Sequence, residues 1–357
     1  MPLSRAVQRL LLLENRYHVY RILLRIKKRK YGVHPINQTR WRFGEFNHLY
    51  QNLRKFPDRF FQYLRMSIQS FDILLEKVRP KLTKQRKTIH AELRLVLTLR
   101  FLATGHSFRD LAFAFRMGRS TVRLIISETC EIIWKELLEE YMPIPTTDRL
   151  KTIINDYYRR WKFPNCFGSI DGKHCQIKCP ANSGSHYFNY LHYFSVVLQG
   201  VADADKKFVT IEVGGREKQS DGGTFSGSTL FRLLEADKLN VPLPQALPNS
   251  NTILPNFLIG DKAYPLKTYL LRTFPRRNLN AKTENFNYRL SIARKCIECA
   301  FGILSSKWRF LQKAIETTPR IAIILIKCAC VLHNFVGERD GDSDLDYLQT
   351  TTTINTI

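Results

Sequence analysis

Apolar positions recur at helical spacing from residue 61 to about residue 141, and at strand-like spacing after residue 165. "FQYLRMSIQSFDILLEKVRPKL" (61–82) predicts a helix that stops near Pro80. "HAELRLVLTLRFLATGHS" (90–107) predicts a second, with Gly105 as its C-cap. In "SFRDLAFAFRMGRSTVRLIISETCEIIWKELLEEYM" (107–142), Ser107 suits the cap of a short helix and Met117-Gly118 a tight turn. Ser120 suits the cap of a longer helix that carries Arg119 and Arg123. Helix, glycine turn, then helix with basic residues at its start is a helix-turn-helix pattern, one that purely structural hairpins share. "PIPTTDRL" (143–150) reads as a linker.

Beyond the linker, "CFGSIDGKHCQIK", "YFSVVLQGVADAD" and "KFVTIEVGG" predict three strands, with the polar loop "PANSGSHYFNYLH" between the first two. A helix over "TFSGSTLFRLLEAD" follows, then a Pro/Asn loop (241–256) and a strand "NFLIGD" ending at Asp261. A long helix carries "NYRLSIARKCIECAFGILSSKWRFL". The last helix, "PRIAIILIKCACVLHNFV", is apolar nearly all round and reads as core. The order β-β-β-α-β-α implies an α/β fold, a mixed sheet flanked by helices and preceded by an all-α region. In that layout the strands carrying Asp171 and Asp261 are neighbours. The expected organisation is a basic segment (1–60), a helical region (61–142), a linker with a lead-in helix (143–164), an α/β domain (165–337) and a disordered acidic, Thr-rich tail (338–357).

Composition adds one strong constraint. Of the formal net charge of +25, residues 1–100 supply +17, with 23 Lys and Arg against 6 Asp and Glu. Such an excess points to a polyanion, nucleic acid before membrane. The chain holds no uninterrupted 18-residue apolar run, so no transmembrane helix is expected. Residues 1–30 read as a basic amphipathic helix ending in "RIKKRK", suited to an import signal, a phosphate contact or a solvated face alike. Eight cysteines without a secretory pattern imply reduced thiols in the nucleus or cytosol. Cys296 and Cys299 form a C-x-x-C with no second pair at zinc spacing, so core thiols are expected. His174 and His333 are expected to be hydrogen-bonded scaffold.

The chemistry lies with the acids. Asp171 and Asp261 at neighbouring strand ends, with Glu298 on the following helix, would repel one another without a counter-ion. Mg²⁺ or Mn²⁺ takes oxygen ligands and suits a few carboxylates beside a substrate phosphate, the equipment of a nuclease or strand-transfer enzyme. Each acid also has a plain reading. Asp171 before Gly172 suits a turn, Asp221 in "SDGGTF" a helix cap, Asp261 the end of a strand, and Glu298 an ion pair with Arg294 four residues earlier.

"SIDGKH", "NSGSHYFNY", "SDGGTF", "GDKAYPL", "NYRLSIARKCIECAFGIL" and "VLHNF", in this order, resemble the DDE domain of PIF/Harbinger transposases and of the transposase-derived nucleases related to them. "INQTRWRFGEFNHLY", "FQYLRMSIQSFDILL" and "LRFLATGHSFRDLAFAFRMGRSTV" are similar to the helical region of that family. The resemblance covers roughly residues 30–337 and implies an RNase H-like fold. It implies that Asp171, Asp261 and Glu298 are the catalytic acids, with Asp221 as a further metal-linked position. It also implies a divalent metal cofactor, a nuclear location, a DNA substrate, a homo-oligomer and a separate myb-like or trihelix DNA-binding protein as partner. Arg119, Arg123, Lys173, Arg289 and Arg294 are the candidate DNA contacts. Retained acids also suit a different expectation, a domesticated DNA- or chromatin-binding protein whose catalysis has lapsed. An RNA-directed nuclease on the same fold has no specific support in the sequence.

Overall fold

A computed structural model of the chain describes residues 31–85, 89–215, 221–277 and 279–341, with Leu12–Glu14 and Arg16. The expected basic helix of residues 1–30, apart from those four, lies outside the described residues, as does the chain after residue 341.

Short helical turns between Pro35 and Leu53 lead into α1 (Pro57–Leu64), α2 (Ile68–Gln85), α3 (Ala91–Thr104), α4 (Phe108–Ala114) and α5 (Arg119–Tyr141). In place of one helix over 61–82 the chain makes two, because Arg65 takes a left-handed φ of 63° and ends α1. The second does not stop at Pro80 but runs through it. Val78 and Leu82 are fully buried on either side of that proline, so packing outweighs the backbone bond it cannot make. Gly105 closes α3 at φ 62°, as expected. It also lets a segment about 200 positions later approach, since a Cβ there would stand 2.9 Å from Phe310 Cα. Ser107 caps α4 through the Asp110 amide. The cap predicted at Ser120 is not made: α5 already begins at Arg119, Gly118 holds the cap position, and Ser120 lies inside the first turn.

Thr146 caps α6 (Thr147–Trp161), so half of the predicted linker is helix. The fully buried Tyr157 hydroxyl donates to the Ala202 carbonyl and bonds Ser169 Oγ, pinning α6 across two strands. Those strands are β1 (Cys166–Gln176) and β2 (Ser195–Ala202); β3 (Phe208–Gly215) follows. After α7 (Asp221–Ser226) and α8 (Thr229–Glu235), the predicted loop 241–256 contains a small ribbon of β4 (Gln245–Ala246) and β5 (Ile253–Leu254). Then come β6 (Phe257–Ile259), β7 (Leu270–Leu271), α9 (Ala281–Lys307) and α10 (Pro319–Asp340).

The main sheet has the order β3-β2-β1-β6-β7. β1 is antiparallel to β2 and parallel to β6, the meander and crossover of an RNase H-like sheet. One apolar core joins α2, α3, α5 and α10 to β1, β2 and the C-terminal half of α9, so the helical region and the sheet share their interior. A second core gathers α6, β6, Tyr264 and the N-terminal half of α9. By length and hydropathy α10 could cross a membrane, yet 67% of its most apolar stretch is buried inside the protein, as expected of a core helix. The expected tail boundary at Glu338 moves outward. α10 continues to Asp340, whose carboxylate accepts from the Ser67 amide at 2.9 Å and from the Ser67 and Ser70 hydroxyls, capping α2 from the far end of the chain.

Candidate active site

β1 leaves the core at Asp171. Residues 166–170 are buried, and the next four are half-exposed. The reason is its neighbour: β6 ends at Ile259, which pairs with Ser169, so β1 loses its parallel partner two residues before the carboxylate. Asp261 stands two residues beyond the same pair on the other strand. Parallel strands lie about 4.8 Å apart, so the shared register brings the two aspartates to one edge of the sheet. Gly260 makes this possible. A Cβ there would meet the Tyr264 ring at 2.9 Å and Ile170 at 3.3 Å. Tyr264 is fully buried beneath the strand end, and its hydroxyl accepts from the Gln199 amide on β2. The Asp261 carboxylate accepts from the Ala263 amide at 2.9 Å, an Asx turn that fixes its own loop.

Glu298 and Arg294 lie on α9 beside its buried stripe of Ala293, Ile297 and Ala300. Arg294 donates to Asp171 Oδ2 at 3.2 Å and, with its other terminal nitrogen, to Glu298 Oε1. The plain reading of Glu298 as an ion-pair partner of Arg294 is therefore met, and the same guanidinium also draws in Asp171, 123 positions away. Two of the three acids share one cation, and the third sits at the adjoining strand end. Among the described residues no group of three or more His, Cys, Asp or Glu side chains is gathered in a metal-holding arrangement. The donors are all carboxylate oxygens, which in kind suit a hard divalent ion. To take one, Arg294 must first release Asp171 and Glu298.

The remaining candidates divide by position. Asp221 is the first residue of α7; its side chain lies outside the described set, as does any capping role. Lys173 is half-exposed on β1, two residues from Asp171 and so on the same face. Arg289 is exposed on α9, while Arg119 and Arg123 are exposed one turn apart at the start of α5, remote in the chain from the acids. His174 bonds Ser195 Oγ at 2.9 Å and His333 meets the Lys206 carbonyl, both scaffold contacts as expected. The eight cysteines are free. Cys296 is buried and its thiol is pushed up to about 12 by burial, whereas Cys299 is exposed, so the C-x-x-C is not a shared site.

Sequence reasoning missed an open cavity of about 1110 Å³ beside Asp261 and Arg294, walled by Lys262, Arg272, Arg276 and Tyr288. The basic run "RTFPRR" (272–277) was the available signal.

Residues 170–334 match a family model described as DDE superfamily endonuclease. This stretch is thus similar to the DDE endonucleases. The match agrees with the resemblance to PIF/Harbinger-type transposases carried by the motifs. The chain is also 26% identical over 302 residues to the Arabidopsis thaliana Protein Antagonist of Like Heterochromatin Protein 1, covering 81% of this chain and 74% of that one. It is 27% identical over 310 residues to the Protein ALP1-like of the same plant, covering 81% and 73%. No solved structure matches the chain significantly.

Proposed function

We propose that this chain is a nuclear, Mg²⁺- or Mn²⁺-dependent DNA endonuclease of transposase ancestry. The observation that carries the reading is the register: Asp171 and Asp261 each lie two residues past the Ser169–Ile259 pair, with Glu298 reaching Asp171 through Arg294. In this reading Asp171 and Asp261 hold the metal, Glu298 completes its ligands, and Asp221 is a further acid of the same edge. A divalent cation held there supplies the charge that stabilises a phosphodiester transition state. Arg294, once displaced, turns its guanidinium to a substrate phosphate, a bidentate pairing that planar fork suits. Lys173 and Arg289 steady the same strand, while Arg119 and Arg123 hold the duplex by its phosphates.

Nicking of supercoiled plasmid tests this. Wild type should nick with Mg²⁺ and not with EDTA, and Asp261→Asn should lose nicking while binding DNA as before. Unchanged nicking by that variant refutes the assignment.

A second reading, a DNA- or chromatin-binding protein with lapsed catalysis, is favoured by one specific observation. Arg294 already pairs with both Asp171 and Glu298, so these two carboxylates have a counter-ion within the chain itself. A relative named as an antagonist of a heterochromatin protein fits that reading. In either case the protein works in the nucleus, as a homo-oligomer and beside a separate DNA-binding protein. Metal-independent DNA binding with no nicking would favour the second reading.

A further inference from the structure

The cavity beside Asp261 is more than an annex of the carboxylates. Its floor is one face of α9, where Glu284, Tyr288, Ser291 and Arg294 recur at helical spacing and lead to Glu298. Its wall is the loop after β7. The wall is built in place: the Asn287 side chain accepts from the Phe274 amide at 2.7 Å and donates to the Phe274 carbonyl at 3.1 Å. Arg272 fixes the opposite side by donating to the Lys262 and Tyr264 carbonyls, both at 3.0 Å. Four basic residues, Lys262, Arg272, Arg276 and Arg294, line the cavity against the two acids Asp261 and Glu284. Tyr288 is 61% exposed on this floor, and among the described residues its ring touches no other ring.

We propose that this cavity is a binding site for an unpaired DNA strand, with Tyr288 as the platform on which a base stacks. The inference rests on the nuclease reading only for what the strand is; the cavity adjoins the carboxylates and shares Asp261 and Arg294 with them, while Tyr288 and Arg276 lie outside that set. A duplex turns its bases inward and offers Tyr288 no π-face, whereas an unpaired strand offers one at every nucleotide. Its phosphates meet Lys262, Arg272 and Arg276 along the way. Tyr288 lies ten residues before Glu298, about 15 Å along the helix, or about four nucleotides of a stacked strand. The strand is thus gripped a few nucleotides from the place where it would be cut, and a duplex must be locally melted to enter.

Fluorescence anisotropy with the full chain in EDTA reads the site without catalysis. The probes are a labelled single-stranded DNA oligonucleotide and a blunt duplex of the same sequence. Tyr288→Ala should weaken single-strand binding by about 5- to 150-fold while leaving duplex affinity within about twofold. Tyr288→Phe, which keeps the ring, should bind as wild type, and Arg276→Gln should weaken both probes through lost phosphate contact. Equal losses on both probes for Tyr288→Ala, or no loss, would overturn the proposal, as would tighter binding of single-stranded RNA. The two readings fail separately. Asp261-dependent nicking with an indifferent Tyr288→Ala removes the strand site alone, whereas selective loss without any nicking removes only the nuclease.

Discussion

Asp171 and Glu298 approach one another because Arg294 stands between them, its two terminal nitrogens divided between the two carboxylates. A guanidinium and a divalent ion answer the same need, since two neighbouring carboxylates cannot both stay charged without a cation. They therefore compete for the same oxygens. Removing the resident one should help the visitor. Exposed ion pairs contribute about 0.2–1 kcal/mol each, so Arg294→Gln should tighten Mn²⁺ binding by on the order of tenfold in calorimetry without DNA. The same variant should lose cleavage, because the fork that meets the phosphate is gone. Weaker Mn²⁺ binding would instead make Arg294 a support of the metal ligands. At this scale the sequence was legible only in part. The pairing of Glu298 with Arg294 follows from a spacing of four on a helix. The link to Asp171 depends on how α9 crosses β1, which no local pattern encodes. Tyr288 was equally hidden, since an exposed aromatic on a helix looks the same in sequence as a buried one.

Among the elements, α10 does the joining. Asn334 accepts from the Phe208 amide at 2.9 Å and donates to the Phe208 and Tyr141 carbonyls, both at 2.8 Å, tying the start of β3 to the end of α5. All of these groups are buried with it. Asn334→Ala would strand one amide and two carbonyls away from water, at about 1–3 kcal/mol for each unsatisfied group. A loss of about 3 kcal/mol or more in urea unfolding is expected, with both the sheet and the helical region melting in one transition. The long elements were readable because composition and caps agree: the β-prone apolar runs of β2 and β3, Gly105 and Ser107 at helix ends, the nearly all-round apolar α10. What escaped has physical causes. β7 and the β4–β5 ribbon are two residues per strand, too short to show a period. Pro80 misled because burial of Val78 and Leu82 overrides its local penalty. Glu338 looked like the start of a tail, while the contact that orders the helix to Asp340 comes from Ser67 and Ser70, about 270 positions away.

Across the whole molecule, charge and chemistry are separated along the chain and joined by packing. Residues 1–100 carry +17 of the net +25, yet every acid of the candidate site falls after residue 170. The shared core of α2, α3, α5, α10 and the sheet makes one body of the two, so DNA bound as proposed by the helical region would be held at a set position relative to Asp171 and Asp261. In the proposed reading α5 is the contact. Its first turn is unobstructed by any capping side chain, and Arg119 and Arg123 project from it without ion-pair partners among the described residues. Two phosphates neutralised there would release their counterions, and log K would fall with log salt by about 0.9 for each. The Arg119→Gln, Arg123→Gln double variant should therefore bind duplex DNA more weakly at low salt, with a slope shallower than wild type by about 1.8. Because neither residue touches the carboxylates, the nicking rate at saturating DNA should be unchanged. A slope that stays the same would mean that the start of α5 faces away from the duplex, and that the basic charge acts through the 31–85 segment instead.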